Sequence, residues 1–242
     1  MQFDPYINAD HSGGRTSRID FVGAGLPART SNRKLEQEIA RRLPDAIHSR
    51  ILPAAEVDFD SPRQKRKSEF DAGRRLTAQL LARLDRQGPV GVADDRSPVW
   101  PNGVTGSISH SCHWLWSVVA ENSDYLSVGI DTEPVVNSNT REQLIHEIAD
   151  SYEWKIAAEA GLDAETTFTV VFSAKESLYK CLYPRSRQFF GFEQACVIGI
   201  TRSSVRLELT PDNPNIEFAP DQIDIVYSLH GNDVFTATWL KA

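Results

Sequence analysis

No run of apolar residues in this chain approaches the roughly 20 that a membrane-crossing helix needs, so no transmembrane span is expected. The first residues, Met1-Gln2-Phe3-Asp4-Pro5, have neither a basic stretch nor an apolar one, so no signal peptide is expected either. Cysteine is scarce and odd in number. Cys112, Cys181 and Cys196 lack metal-type spacing, which excludes a disulfide framework and points to reduced thiols in a cytoplasm. There is no short-period repeat, no low-complexity tract, no phosphate-binding P-loop and no Gly-x-Ser-x-Gly nucleophile elbow. A loose dinucleotide fingerprint at Gly23-Ala24-Gly25-Leu26-Pro27-Ala28 is discounted, because Pro27 and a weak flanking strand remove the strand–turn–helix context that gives the pattern meaning.

What remains is 242 residues of ordinary globular composition, 40% hydrophobic. That is enough for one large domain or two smaller ones. The net charge of -7 is unevenly spread: residues 1–125 hold 17 Lys and Arg against 16 Asp and Glu, whereas residues 126–242 hold 9 against 17. Arg63, Lys65, Arg66, Lys67, Arg74 and Arg75 lie within thirteen residues. A basic run is most often a solvated helix face. On an acidic protein it also suits a phosphorylated small molecule or an acidic partner, and it is a poor footprint for nucleic acid.

Residues 1–60 give few signals beyond a short apolar piece, Ile19-Asp20-Phe21-Val22, and a helix near Asn32–Leu43 ended by Pro44. The spacing predicts a helix over 64–87, with Phe70, Gly73, Thr77, Leu80, Leu81 and Leu84 as its apolar stripe and Gly88-Pro89 as its stop. Lys67 and Arg74 share one face of it. A loop runs through Asp94–Gly103. Val104–Ser109 and Leu115–Ala120 then form a hairpin turning at Ser111-Cys112-His113, and Glu121–Asp124 is a polar break that marks a domain boundary. Leu126–Glu133 reads as a strand, followed by helices around Thr140–Ser151 and Tyr152–Ala160 with Gly161 as a stop. A further helix spans about Phe168–Tyr183, ended by Pro184. Ala195–Ile200, Val205–Leu209, Ile223–Leu229 and Phe235–Leu240 read as strands. Both halves run from helix to strands, which permits a pseudo-duplicated architecture.

Two segments carry the candidate chemistry. In Val128-Gly129-Ile130-Asp131-Thr132-Glu133 the acids are two apart on a strand, so both carboxylates face one side while Val128 and Ile130 face the other and Gly129 allows close approach. Side by side, two carboxylates repel unless a cation or a shared proton neutralises them; the bland alternative is an exposed polar face. In Phe172-Ser173-Ala174-Lys175-Glu176-Ser177-Leu178-Tyr179-Lys180 the acid and lysine are four apart on a helix. Alone they would be an ordinary ion pair, but Phe172, Leu178, Tyr179 and Leu182 make the helix largely buried, and a buried charge needs partners. Three carboxylates and a lysine that converge would make a hard-cation site beside a positive charge, suited to moving a phosphate-linked group. His110, after Ser109 at a strand end, is most simply structural. A zinc site from His110, Cys112 and His113 fails, because the three close on one turn with no fourth ligand.

Taken together, Arg66-Lys67-Ser68-Glu69-Phe70-Asp71-Ala72-Gly73-Arg74, Trp100-Pro101-Asn102-Gly103-Val104-Thr105-Gly106-Ser107-Ile108-Ser109-His110, Gly129-Ile130-Asp131-Thr132-Glu133 and Phe172–Lys180 closely resemble the 4′-phosphopantetheinyl transferases in order and spacing. The likeness is to the surfactin-synthetase-activating type, and within it to the branch serving enterobactin-type siderophore synthetases. Matching blocks run from about residue 52 to 195. The resemblance implies an α+β fold of two pseudo-duplicated α/β subdomains, residues 1–124 and 125–242, with the active site in the cleft between them. It implies transfer of the 4′-phosphopantetheine arm of coenzyme A, the co-substrate, to a serine of an apo carrier protein, leaving adenosine 3′,5′-bisphosphate. Asp131, Glu133 and Glu176 then match the family's Mg²⁺-binding acids, with Glu176 also the candidate base. Lys180 matches the lysine at the pyrophosphate. Arg66, Arg74 and His110, with Ser109, match positions that hold the coenzyme. A basic residue found in some members of this branch is replaced by Val92, and the phosphate contact there falls to Arg96, Arg74 or Arg75. The acceptor surface, expected to be apolar and basic, is placed around Asp163–Thr167 and the preceding helices. A monomer is the default, and no nucleic acid is expected as a partner. The competing readings are a non-catalytic protein binding coenzyme A or carrier proteins, and a metal-dependent phosphohydrolase.

Overall fold

The computed structural model describes residues 29–54, 61–210, 216 and 218–242. The apolar piece at 19–22 and the fingerprint at 23–28 lie outside them. Chain order is α1 (Arg29–Ala40), β1 (His48–Pro53), α2 (Pro62–Arg83), β2 (Gly91–Val92), β3 (Pro98–Val99), β4 (Val104–His110), β5 (Trp114–Glu121), β6 (Tyr125–Pro134), α3 (Ser138–Ile148), α4 (Ser151–Ala157), α5 (Ala164–Ser186), β7 (Ala195–Ile200), β8 (Ser204–Leu209), β9 (Gln222–His230) and β10 (Asp233–Lys241). Helix and sheet are thus mixed, as an α+β chain requires. Among the described residues no helix is long and apolar enough to cross a membrane, and all three cysteines are free.

The strands form two antiparallel sheets and a ribbon. Three strands run in the order β1-β5-β4, five in the order β6-β10-β9-β8-β7, and β2 pairs with β3. The hairpin expected over 104–120 is present, with Ser107 opposite Val118. Strand β6 is an edge of the larger sheet, with Asp131 opposite Thr236 of β10. A shared core joins the sheets: Ile51, Trp116 and Val118 from one pack with Val128, Ile130, Phe235 and Ala237 from the other, capped by Leu35 and Ile39 of α1. Phe235 meets the edges of Trp114 and Trp116 at centroid separations of 6.0 and 5.7 Å, an edge-to-face geometry that favours aromatic pairs beyond area burial.

Helix α2 begins where expected: Ser61 is extended and its hydroxyl accepts the Gln64 amide, with proline in the first turn. Its buried stripe is Gly73, Leu76, Thr77, Leu80 and Leu81. Phe70, assigned to that stripe from spacing, is instead 43% exposed and lies under the Arg74 guanidinium at 4.7 Å, because the helix rotates its first turns out of the core. Two further expectations are corrected. The loop expected over Asp94–Gly103 contains the short strand β3, which pairs with β2. Helix α5 is longer at both ends: Asp163 caps its N-terminus by accepting the Thr166 amide, and Pro184 lies inside its last turn before Arg187 closes it in a left-handed conformation. Proline there removes one hydrogen bond near a terminus, so the helix survives it.

A buried ion pair ties α5 to the rest of its half. Lys175 Nζ donates to Glu153 Oε2 at 2.8 Å, Ile148 O at 2.8 Å and Phe192 O at 3.1 Å. Glu153 Oε2 also accepts the Val197 amide at 2.6 Å, and Oε1 accepts the Asp150 amide, closing the capping box of α4. Every lysine proton is used. Removing one partner would strand a charge in the interior, so Lys175→Met is expected to cost about 3–5 kcal/mol in urea unfolding, and adding Glu153→Gln to it should recover part of that loss. A cost below about 1 kcal/mol would show that the pair does not anchor α5.

Candidate active site

The site begins with an edge problem. Strands β4 and β6 lie side by side but belong to different sheets, so β6 presents amides that no neighbouring backbone accepts. Two serine hydroxyls of β4 take them: Ile130 N donates to Ser107 Oγ and Thr132 N to Ser109 Oγ, each at 3.2 Å. Ser109 does more. Its hydroxyl donates to Asp131 Oδ1 at 2.9 Å and accepts Lys180 Nζ at 3.2 Å. One donor and two acceptor positions are all that a serine hydroxyl has, and here all are occupied.

Asp131 is the hub. It is 2% exposed, which disposes of the solvated-face reading for the strand pair. Lys180 Nζ meets Oδ1 at 2.6 Å, and Ser173 Oγ donates to Oδ2 at 2.8 Å. Ser173 is in turn held by Thr236, whose hydroxyl donates to the Ser173 carbonyl at 2.8 Å. Lys180 therefore pairs across elements with Asp131 rather than serving only as the helical neighbour of Glu176. Helix α5 can come this close because of Gly129. A Cβ there would stand 2.0 Å from Ser177 O and 2.6 Å from Cys181 N, so the expected close approach is a helix backbone lying directly on the strand.

Charge at the site is unbalanced. Burial pushes the Glu176 carboxyl up to about 7, with Asp131 adding to the rise and Lys180 opposing it. Burial likewise raises Glu133 well above its ordinary value; Asp131, Glu176 and Asp233 add to this, against Lys180. Burial lowers the Lys180 pKa, but Asp131, Glu176 and Glu133 together outweigh it and raise the pKa above its ordinary value. One lysine thus faces three acids. Hard oxygen donors with surplus negative charge fit a divalent cation such as Mg²⁺ in their chemistry. Among the described residues, however, no group of three or more His, Cys, Asp or Glu side chains stands ready-made as a metal cage.

The basic and coenzyme-facing candidates divide. His110 is exposed at the end of β4 with Nδ1 3.8 Å from Glu69 Oε2. Protein packed around the covered side of its ring lowers its pKa against the pull of Glu69, and it also feels Lys180 and Asp131, so it borders the acids. Arg66 lies on the exposed face of α2. Arg74 is half-buried and its Nη1 donates to Val90 O and Gly91 O, both at 2.8 Å; it holds the base of the β2–β3 hairpin. Val92 sits exposed on that hairpin, whose turn is tied to the end of α5 by Asp95 accepting Tyr183 Oη at 2.8 Å. The Asp163–Thr167 segment is the opposite end of α5, roughly 14 to 20 Å along the axis from Glu176 at 1.5 Å per residue. Sequence reasoning missed Ser173, Thr236 and Glu69. Ser173 had a signal, since 173, 176 and 180 fall on one helical face; Thr236 had none, because only strand pairing brings it there.

Because the Glu176 pKa lies above its ordinary 4.5, the folded protein binds the extra proton. The stability that this proton contributes is fully present below about pH 4.5 and is lost as pH rises through about 7. In metal-free buffer the melting temperature is expected to fall between pH 5 and 8, and Glu176→Gln to flatten that fall and stabilise the protein at pH 8 by on the order of 1–3 kcal/mol. A variant less stable than wild type at pH 8 would contradict the raised pKa.

Comparison with known families matches residues 55–120 to the 4′-phosphopantetheinyl transferase N-terminal domain and residues 127–232 to the 4′-phosphopantetheinyl transferase superfamily. Together the two stretches take in more than half of the chain. Among similar proteins, enterobactin synthase component D of Salmonella typhi is 33% identical over 148 residues, 61% of each chain. The 4′-phosphopantetheinyl transferase Npt of Nocardia iowensis is 29% identical over 59% of this chain and 64% of its own. The 4′-phosphopantetheinyl transferase PptT of Mycobacterium tuberculosis is 32% identical over 58% of this chain and 61% of its own. The match spans about 61% of the length of the Salmonella relatives.

Proposed function

Given that the chain belongs to the 4′-phosphopantetheinyl transferase superfamily, we propose that it transfers the 4′-phosphopantetheine arm of coenzyme A to a serine of an apo carrier protein. Peptidyl, aryl or acyl carrier domains are the acceptors, adenosine 3′,5′-bisphosphate is released, and the setting is siderophore synthesis by nonribosomal peptide synthetases in the cytoplasm. The names of the enterobactin synthase relatives support that setting. The single observation that carries the reading is the convergence of Lys180, Ser109 and Ser173 on the buried Asp131 carboxylate, Lys180 and Ser173 coming from the helix that also bears Glu176.

The carrier serine Oγ attacks the phosphorus that bears the pantetheine. A new P–O bond forms to the serine, and the bond to the bridging oxygen of the diphosphate breaks. The serine proton goes to Glu176, a carboxylate that can accept it and release it to solvent afterwards. Lys180 is the cation that stabilises the oxygen left on the departing bisphosphate. His110, at the end of β4, holds coenzyme phosphate oxygens, Arg66 reaches them from α2, and Ser109, whose hydroxyl is fully used, supports the site by holding Asp131 and Lys180. Arg74 contributes by fixing the β2–β3 hairpin as well as by its own charge. Mg²⁺ would be held by Asp131, Glu133 and Glu176 and would supply charge neutralisation and alignment of the diphosphate. Residues 1–124 and 125–242 form the two subdomains of this reading, with the acids in the cleft between them, and a monomer completes the site.

Two measurements test it. With Mg²⁺ and coenzyme A, an apo carrier protein from a small panel should gain the mass of one phosphopantetheine arm, and Glu176→Gln should lose at least about 100-fold in kcat/KM, the scale of a lost general base. No mass gain with any carrier overturns the proposal. Release of adenosine bisphosphate without an acceptor would mean a phosphohydrolase, and coenzyme A binding without turnover a binding protein. Separately, Mg²⁺ at millimolar concentration should raise the melting temperature of wild type and fail to raise that of Asp131→Asn, by the mass-action stabilisation of a bound ion.

A further inference from the structure

The β4–β5 turn is hooked to the larger sheet by one carboxylate. Asp233 opens β10 and its side chain is 9% exposed, with His113 Nδ1 2.7 Å from Oδ1. Its Oδ2 accepts the Trp114 indole N–H at 3.0 Å. Those two donors are consecutive residues at the end of the turn. Ser111 closes the turn from the other side, its amide donating to Trp114 O at 2.8 Å and its hydroxyl accepting the Trp114 amide at 3.1 Å. Just before the turn come Ser109 and His110. No backbone ladder joins β4 to β6, so their separation is set by side chains. Asp233 also works against the acid cluster, since its charge opposes ionisation of Glu133. It is therefore not there to ease the electrostatics of the site. Its two oxygens do something geometric: they fasten the end of one sheet to the start of the last strand of the other.

We propose that Asp233 is a positioning residue, which by holding His113 and Trp114 sets β4 against β6 so that Ser109 meets Asp131 and His110 faces the coenzyme phosphates. The role in coenzyme binding rests on the transferase reading; the role in holding the seam does not. Loss of the hook loosens the β4 end by a fraction of an ångström or more, and misplacement on that scale is costly for a positioned ligand group.

The substitutions separate shape from charge. In Asp233→Asn the amide oxygen accepts the indole and the amide nitrogen donates to Nδ1 of the other His113 tautomer, so both links survive without the charge. In Asp233→Ala both are lost. Asp233→Ala is expected to raise the KM for coenzyme A about tenfold with kcat changed less than about threefold, a loss of ground-state positioning, while Asp233→Asn stays within about threefold of wild type. Val205→Ala, a cavity in buried β8 of similar cost in melting temperature, should leave that KM unchanged. By hydrogen exchange, the Ile130 and Thr132 amides should exchange about tenfold faster in Asp233→Ala, relative to the β6 amides bonded to β10. His113→Ala, which removes one link from a half-exposed residue, should shift both readouts in the same direction, and it serves if the alanine at 233 does not fold. An unchanged KM, an equal rise in Val205→Ala, or unchanged exchange at Ile130 and Thr132 overturns the proposal. If wild type transfers nothing, the transferase reading fails while the exchange measurement still decides the hook.

Discussion

The site depends on how one edge strand is satisfied. Strand β6 carries Asp131 and Glu133, and its outer amides find serine hydroxyls rather than a neighbouring strand. A continuous backbone ladder between β4 and β6 would have closed the two sheets into one surface and left no room for a polar centre. The serine bridge satisfies the amides, as buried backbone groups demand, and leaves Ser109 free to bind Asp131 and Lys180 at the same time. The seam between the sheets and the polar centre are therefore one structure.

That centre is electrostatically unfinished. Glu133 and Glu176 hold protons above their ordinary range because burial and Asp131 outweigh a single lysine. A folded protein carries such an arrangement only if the surroundings are firm, and they are. Gly129 lets α5 rest directly on β6, Thr236 fixes Ser173, and the Lys175–Glu153 pair locks the far face of the same helix to α4 and β7. On α5, Lys175 and Glu176 are adjacent in sequence yet point in different directions, about 100° apart: the lysine is spent on structure, and the acid borders Asp131 and Lys180. This is the pattern expected where stability is set against function.

The basic helix α2 is less uniform than its composition. Arg66 and its neighbours face outward, whereas Arg74 turns to the carbonyls of Val90 and Gly91 and organises the hairpin whose tip is tied to the end of α5 by Asp95. Positive charge on α2 is thus partly an exposed surface and partly a structural clamp.

The chain by itself determined its helices α2 and α5, the 104–120 hairpin, strand β6 and the four last strands, because each has a clean period or a capping residue that acts over a few positions. It also placed Asp131 with Glu133, and Glu176 with Lys180, since periods of 2 and 3.6 fix which side chains share a face. It could not place β1, β2 and β3, whose short, half-exposed pairings exist only against a partner. Nor could it say that Phe70 would leave the helix core, that Lys180 would pair with Asp131, or that Thr236 and Asp233 would stand beside the site. Those contacts join residues 49 to 120 positions apart. Only the packing of the two sheets decides them, because local propensity carries no information about which distant strand becomes the neighbour.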